Sequence, residues 1–438
     1  MKKMIINFCL IAFTTTAIAQ DDQLKLSLEQ ALKIAIENNR MVKKAKIYER
    51  IAKAEYKQSK AVFLPSIEFS MTGIRTNDPL SGFGFRLKQE IVTQADFAPV
   101  LLNNPLYIDN FSIKLEMKLP IINMDGYYTH KAAKLNARVS SYMTARSIQQ
   151  IQFEVKKAYY SLELSNEVVS VIEESLKMAK SAFKVTNDNL EQGYVKEADV
   201  LMAKVRVADI QAKLIEAKNT KQNVEEYFIF VLGLDSNTSI LTTDRLNRSP
   251  SLFVETNTFL GNRSDMLAYK IGIEVRKQML SAQKMKFLPQ INTFGSTEWN
   301  DHKFLGTSAK SYTIGAILSW KLFNGNKIWG GLQKAKAQLE SAKVDYFEYL
   351  EKNELELNKA KRDVILSYEQ IRIGELSRKQ AAESYRIIKN RYSQGLEKTT
   401  DLLYAENLAS NRKLEYLRNL YKYQIAIFYV ELLLEKNL

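Results

Sequence analysis

Three short landmarks occur twice in this chain, in the same order. Phe63-Leu64-Pro65-Ser66-Ile67 returns as Phe287-Leu288-Pro289-Gln290-Ile291, and Leu119-Pro120-Ile121-Ile122-Asn123 is echoed by Trp320-Lys321-Leu322-Phe323-Asn324. Gln192-Gly193 followed by Asp199-Val200-Leu201 matches Gln394-Gly395 followed by Asp401-Leu402-Leu403. The offsets are 224, 201 and 202 positions, so two copies of one unit are implied, and the first copy carries 23 extra residues between its first two landmarks.

Between the second and third landmarks each copy has a long helical pattern. Val155, Ala158, Leu162, Ser165, Val169, Ile172, Leu176, Ala179, Phe183, Thr186 and Leu190 follow 3-4 spacing. The second copy repeats the register as Leu357, Ala360, Val364, Ser367, Ile371, Gly374, Arg378, Ala381, Tyr385, Ile388 and Tyr392. A period of 3.5 residues favours left-handed coiled-coil packing, although an ordinary long-helix bundle fits the same signal. The long helices, about 127–190 and 327–392, would each run roughly 95–100 Å at 1.5 Å per residue, too long for a compact globule. Shorter helices at about 27–60 and 196–232, and at 264–287 and 398–435, match them when placed end to end, which predicts a rod. Only 16 Gly and 7 Pro in 438 residues accord with so few turns.

Two strands are expected in each copy. Phe111, Ile113, Leu115, Met117 and Leu119 alternate cleanly with polar residues over about 110–120, and Ile67, Phe69 and Met71 do so over about 65–74. In the second copy Tyr312, Ile314, Ala316, Leu318 and Trp320 share one face of a strand at about 311–322, while 289–299 alternates poorly. Strands of this length with one apolar face suit a transmembrane barrel. Four strands cannot close a barrel within one chain, so closure would need several chains. Residues 75–109 read as a long loop at the strand tips, with turn signals at Asn77-Asp78-Pro79 and Asn103-Asn104-Pro105. Gly233 follows an apolar helix end as a C-cap.

Lys2 and Lys3 precede an apolar run that ends at Ala17-Ile18-Ala19, which reads as a secretory signal peptide over 1–19. The first repeat then occupies 20–240, a linker 241–263, and the second repeat 264–438. The one cysteine, Cys9, lies in the leader, and His130 and His302 sit in no metal-ligand spacing. No phosphate-binding loop, dinucleotide fingerprint or nucleophile elbow is present, so neither catalytic residues, a metal nor a cofactor is expected. With 46% hydrophobic and 26% charged residues, the chain is not a polytopic helical membrane protein. The net charge of +14 is spread without a basic run or nucleic-acid motif, which reads as a solvated surface and not as nucleic-acid binding. A soluble periplasmic coiled-coil spacer or adaptor is the competing reading, although an adaptor would bring many short strands where only four candidates occur.

The leader, the duplicated helix–hairpin–helix unit and the Q-G-x5-D-[VL]-L element together resemble the TolC-type outer-membrane efflux protein family, over essentially the whole mature chain. Leu26-Ser27-Leu28-Glu29-Gln30-Ala31-Leu32 with Asn38-Asn39, the two Phe-Leu-Pro turns and Asn324-Gly325 add to the likeness. The resemblance implies an α+β membrane protein, a homotrimer forming one β-barrel in outer-membrane lipid above a long periplasmic α-helical barrel. It implies a passive exit duct that docks to a periplasmic adaptor (membrane fusion) protein and an inner-membrane transporter. The turns at Gln192, Gly193, Gln394 and Gly395 would be the periplasmic tips and the adaptor-docking points. Tyr392 and Asp199 would tether the closed state, with Glu397 standing where some members carry a basic tether. Asp401 would narrow the pore, with Tyr404 one turn on where a second acidic residue occurs in some members. Asp199 and Asp401 also suit the first turn of a helix, where a carboxylate opposes the dipole.

Overall fold

The computed structural model describes residues 24–246 and 262–435. The leader at 1–19 and most of the 241–263 linker lie outside the described residues. In chain order the elements are β1 (Leu24–Leu26), α1 (Leu28–Asn38), α2 (Arg40–Gln58), β2 (Ser66–Thr76), α3 (Pro79–Lys88), α4 (Pro99–Asn103) and β3 (Ile108–Ile122). They continue as α5 (Met124–Glu191), α6 (Glu197–Leu232), β4 (Ile240–Thr242), α7 (Ser264–Met285), β5 (Gln290–Asp301), β6 (Ala309–Ser319), α8 (Lys327–Ser393) and α9 (Thr399–Leu434). Short 3-10 turns occupy Ser59–Phe63 and Gln94–Phe97. Among the described residues the chain divides into two compact units, one of residues 24–40, 150–246 and 360–432, the other of residues 41–149, 262–359 and 433–435.

The first unit is helical. The seam residues Val155, Ala158 and Leu162 of α5 are buried against Ala31 and Ala35 of α1 and Phe228, Ile229 and Leu232 of α6. Further along, Ile172 and Ala179 pack on Ile210 of α6. The matching positions Ala360, Val364, Ile371, Ala381 and Tyr392 of α8 are buried too. Arg378, the charged member of that seam, lies over the Tyr416 ring at 5.2 Å.

The expected helix over 27–60 is broken at Asn39, which is extended at φ −57° and ψ 129°. Its side-chain amide donates to the Val231 carbonyl at 2.6 Å, and Gly233, the left-handed C-cap of α6, lies against the Asn38 carbonyl. A two-stranded parallel pairing, Leu24–Leu26 with Ile240–Thr242, closes this region. The buried Tyr159 hydroxyl secures it, donating to the Leu26 carbonyl and accepting from the Thr243 and Asp244 amides at 2.9–3.0 Å.

The second unit holds a four-stranded antiparallel sheet in the order β2-β3-β5-β6. Its register puts Phe69, Leu115, Thr297 and Tyr312 in one row and Gly295 and Ile314 in the next. One face is therefore apolar along β2, β3 and β6, and it is open, with Phe69 67% and Ile314 80% exposed. The opposite face carries Glu68, Ser70, Lys114, Glu116, Ser296 and Glu298. Irregular alternation in β5 has a local cause: Phe294 sits on the polar face, where its ring fills the space a Cβ would need at Gly315. β2 and β6 are the sheet edges.

The loop at 75–109 is not extended coil, because α3, a 3-10 turn and α4 lie inside it. Asp78 caps α3 by accepting from the Ser81 amide at 2.7 Å, with Pro79 in the first turn. In the same unit, the start of α7 carries a buried ionic cluster. Asp265 receives the Arg263 guanidinium at 2.6 and 2.9 Å and the Tyr349 hydroxyl at 2.8 Å, with Arg146 3.1 Å away. Burial raises the Asp265 carboxyl, and the hydrogen bonds and positive charges of the two arginines outweigh it, leaving it below its ordinary value.

Candidate functional site

Both helix hairpins turn at the duplicated Gln-Gly. Gly193 and Gly395 adopt φ of 76° and 74°, a left-handed conformation that closes the preceding helix. At the first turn the Tyr194 amide bonds to Asn189 and that of Gly193 to Leu190; at the second Leu396 bonds to Arg391 and Gly395 to Tyr392. These are the same two bonds at the same offset, the pattern of a Schellman cap. Gln192 and Gln394 are exposed beside them.

Tyr392 sits one helical step before its turn and is only 3% exposed, packed with Ala182 and Leu402 and flanked by Val185, Tyr385 and Ile388. Its hydroxyl lies 2.8 Å from Thr186 Oγ1 and 3.1 Å from Thr399 Oγ1. The Thr186 hydroxyl gives its one proton to the Ala182 carbonyl at 2.9 Å, so Tyr392 donates to Thr186 and accepts from Thr399. One phenol thus joins α5, α8 and the start of α9.

Within the chain, Tyr392 and Asp199 are not brought together. The Asp199 carboxylate accepts from the Lys196 amide at 3.0 Å, in the first turn of α6. Glu397 takes the Arg391 guanidinium at 2.7 Å, an exposed pair across the second turn. Asp401 and Tyr404 lie on the first turns of α9 and face out of the chain.

A second polar knot, two turns into α9, escaped the sequence reading. Glu406, 1% exposed, receives two nitrogens of Arg206 at 2.8 Å and the Ser410 hydroxyl at 3.1 Å. Ser410 also meets Ser175 of α5 at 2.6 Å. Burial, with the Glu406 charge nearby, pushes the Tyr385 phenol above its ordinary range. No local pattern signals this knot, since Arg206 and Glu406 are far apart in sequence and neither lies on the long-helix seam.

His130 bonds Ser59 at 2.8 Å between the Tyr56 and Phe63 rings, and His302 lies beside Asp301. Among the described residues no three metal-ligating side chains cluster, and no helix is long and apolar enough to cross a membrane.

The chain is thus a duplicated helix–hairpin–helix unit with one strongly apolar sheet face and helical hairpins capped at Gln-Gly. The chain belongs to the outer membrane efflux protein family, whose model matches residues 31–234 and 256–434. It is 20% identical over 417 residues to outer membrane protein OprJ of Pseudomonas aeruginosa, covering 91% of this chain and 82% of that one. It is 22% identical over 279 residues to toxin and drug export protein A of Aggregatibacter actinomycetemcomitans, covering 61% of this chain and 60% of that one. Its fold is similar to that of the Campylobacter jejuni CmeC outer membrane channel, with a TM-score of 0.80 at 19% identity, covering 93% of this chain and 85% of that one. By its family the protein is an outer-membrane efflux duct.

Proposed function

We propose that three copies of this chain close one barrel and conduct cargo passively to the outside, with a periplasmic adaptor docked at the Gln192-Gly193 and Gln394-Gly395 tips and an inner-membrane transporter behind it. The observation that carries this reading is the sheet. It has an apolar face fit for lipid, a polar face fit for water, and two edge strands without a strand partner among the described residues. An open edge in hydrocarbon leaves unsatisfied peptide groups that each cost several kcal/mol, so β6 of one copy must pair with β2 of the next. Conduction needs no reaction, and no residue is assigned one.

In this reading Tyr392 holds the closed tip by tying α5 to the α8–α9 turn through Thr186 and Thr399, in place of a bond to Asp199. Glu397 stiffens that turn through Arg391. Asp401 and Tyr404, exposed on α9, ring the pore, where carboxylates of neighbouring copies attract cations. Detergent extraction of the outer membrane followed by mass photometry tests the assembly. A particle of three chains is expected; a monomer released with the soluble periplasmic fraction would return the chain to the spacer reading.

A further inference from the structure

The long first loop is docked on the polar face of the sheet. By register, Ile108, Asn110 and Ser112 of β3 share that face with Glu298 and Asn300 of β5. α3 lies against these residues. Gly82 packs against Ile108 and Pro105, and Lys88 Nζ reaches Glu298 at 3.2 Å. Gln89 Nε2 donates to the Asp109 carbonyl at 2.8 Å and to Asn110 Oδ1 at 2.9 Å, and Asn110 passes the chain on to Asn300 at 3.0 Å. Gln89, Asn110 and Asn300 are 3%, 2% and 1% exposed, so water is shut out of this contact.

The loop is also braced from within and at its base. Arg86 pairs with Asp96 at 2.7 Å, Phe83 meets Phe97 edge to face, and Arg75 holds Asp109 through two bonds of 2.6 Å. The Lys88 side chain reaches as deep as Glu298, three residues before the end of β5, while Gln89 and Gly82 seat α3 on Ile108, Asp109 and Asn110 at the start of β3. A loop that merely decorated the rim would stop at the strand ends. The second hairpin has no counterpart, since β5 ends at Asp301 and β6 begins at Ala309.

We propose that residues 79–104 form a second constriction of the duct, at its outer mouth, with Lys88 and Gln89 as the positions that hold it there. The proposal rests on the reading that the polar face lines the duct. A helix is about 10 Å across, so one laid on each wall of the barrel takes up a large part of its bore. Release of α3 from Glu298, Asn110 and Asn300 would widen the mouth independently of the periplasmic tip.

Ser296, on the polar face deeper in β5, provides the reporter. In cells producing the full chain with Cys9→Ser and Ser296→Cys, labelling by a bulky poly(ethylene glycol) maleimide added outside is compared with labelling by a small water-soluble maleimide. The bulky reagent is expected to be slow in this parent. It should speed up by about tenfold with Gln89→Ala and Lys88→Gln combined, the factor that losing these bonds gives to the undocked population. A variant with 79–104 replaced by a short Gly-Ser link should match or exceed that rate. Bulky labelling as fast in the parent as in both variants would overturn the constriction while leaving the duct intact. An introduced thiol that stays unreactive to both reagents in every variant would show that the polar face does not line water, and would overturn both readings.

Discussion

Replacing Tyr392 by Phe removes a single oxygen, yet it leaves the buried hydroxyls of Thr186 and Thr399 without their shared partner. The expected cost is about 1–3 kcal/mol, read as a lower midpoint in denaturant unfolding of the detergent-solubilised protein. Arg206→Ala is expected to cost more, about 3–5 kcal/mol, because it strands the Glu406 carboxylate in the interior; Arg206→Ala with Glu406→Leu should recover most of that. Asp265 sets an acid limit. Its carboxyl is held below 3.8, so its contribution to stability is complete above about pH 4 and is lost as pH falls through the depressed folded value. Asp265→Asn should flatten the fall of thermal midpoint below about pH 4 relative to the parent. At this scale the sequence spoke unevenly. Tyr392 was legible because a repeat put it on a seam beside a Gln-Gly turn. Its threonine partners and the Arg206–Glu406 pair were not, because hydrogen bonds between helices distant in sequence leave no periodic trace.

Elements were legible where a period ran long enough to be counted. The eleven seam positions of α5 marked a helix and its buried side, and the nine-residue alternation of β3 marked a strand and its apolar side. Three-residue strands such as β1 and β4 are too short to alternate, and they surfaced only through their pairing. The break at Asn39 was hidden because its cause, the Val231 carbonyl and the Gly233 cap, comes from the far end of the first repeat. In β5 the pattern blurred because Phe294 occupies the polar face over Gly315. The turn glycines make a graded prediction. Gly193→Ala meets open space and only the left-handed penalty of about 1–2 kcal/mol, whereas Gly233→Ala adds a Cβ 2.7 Å from the Asn38 carbonyl and should lower the thermal midpoint clearly further.

For the whole molecule, the apolar and polar faces of the sheet give opposite expectations for the same substitution. Ile314→Lys puts a charge toward lipid at a cost of about 2–4 kcal/mol near the bilayer midplane and should reduce the yield of inserted trimer. Ser296→Lys faces water and should insert normally. The fold class and the outer-membrane place came with the family resemblance that the leader, the duplicated unit and the Gln-Gly elements carry together, since strand alternation alone does not separate a barrel from a half-buried soluble sheet. The long first loop was visible in sequence as 23 extra residues bounded by two turn signals; its docking on the polar face depends on contacts that no spacing encodes.

Single-channel recording of the purified protein in planar bilayers, parent beside Tyr392→Phe, tests the central claim that the chain is a duct closed at its periplasmic tips. Small, stable, cation-selective channels are expected from the parent and several-fold larger ones from Tyr392→Phe. Absence of any channel from a folded, trimeric sample of both proteins would contradict it.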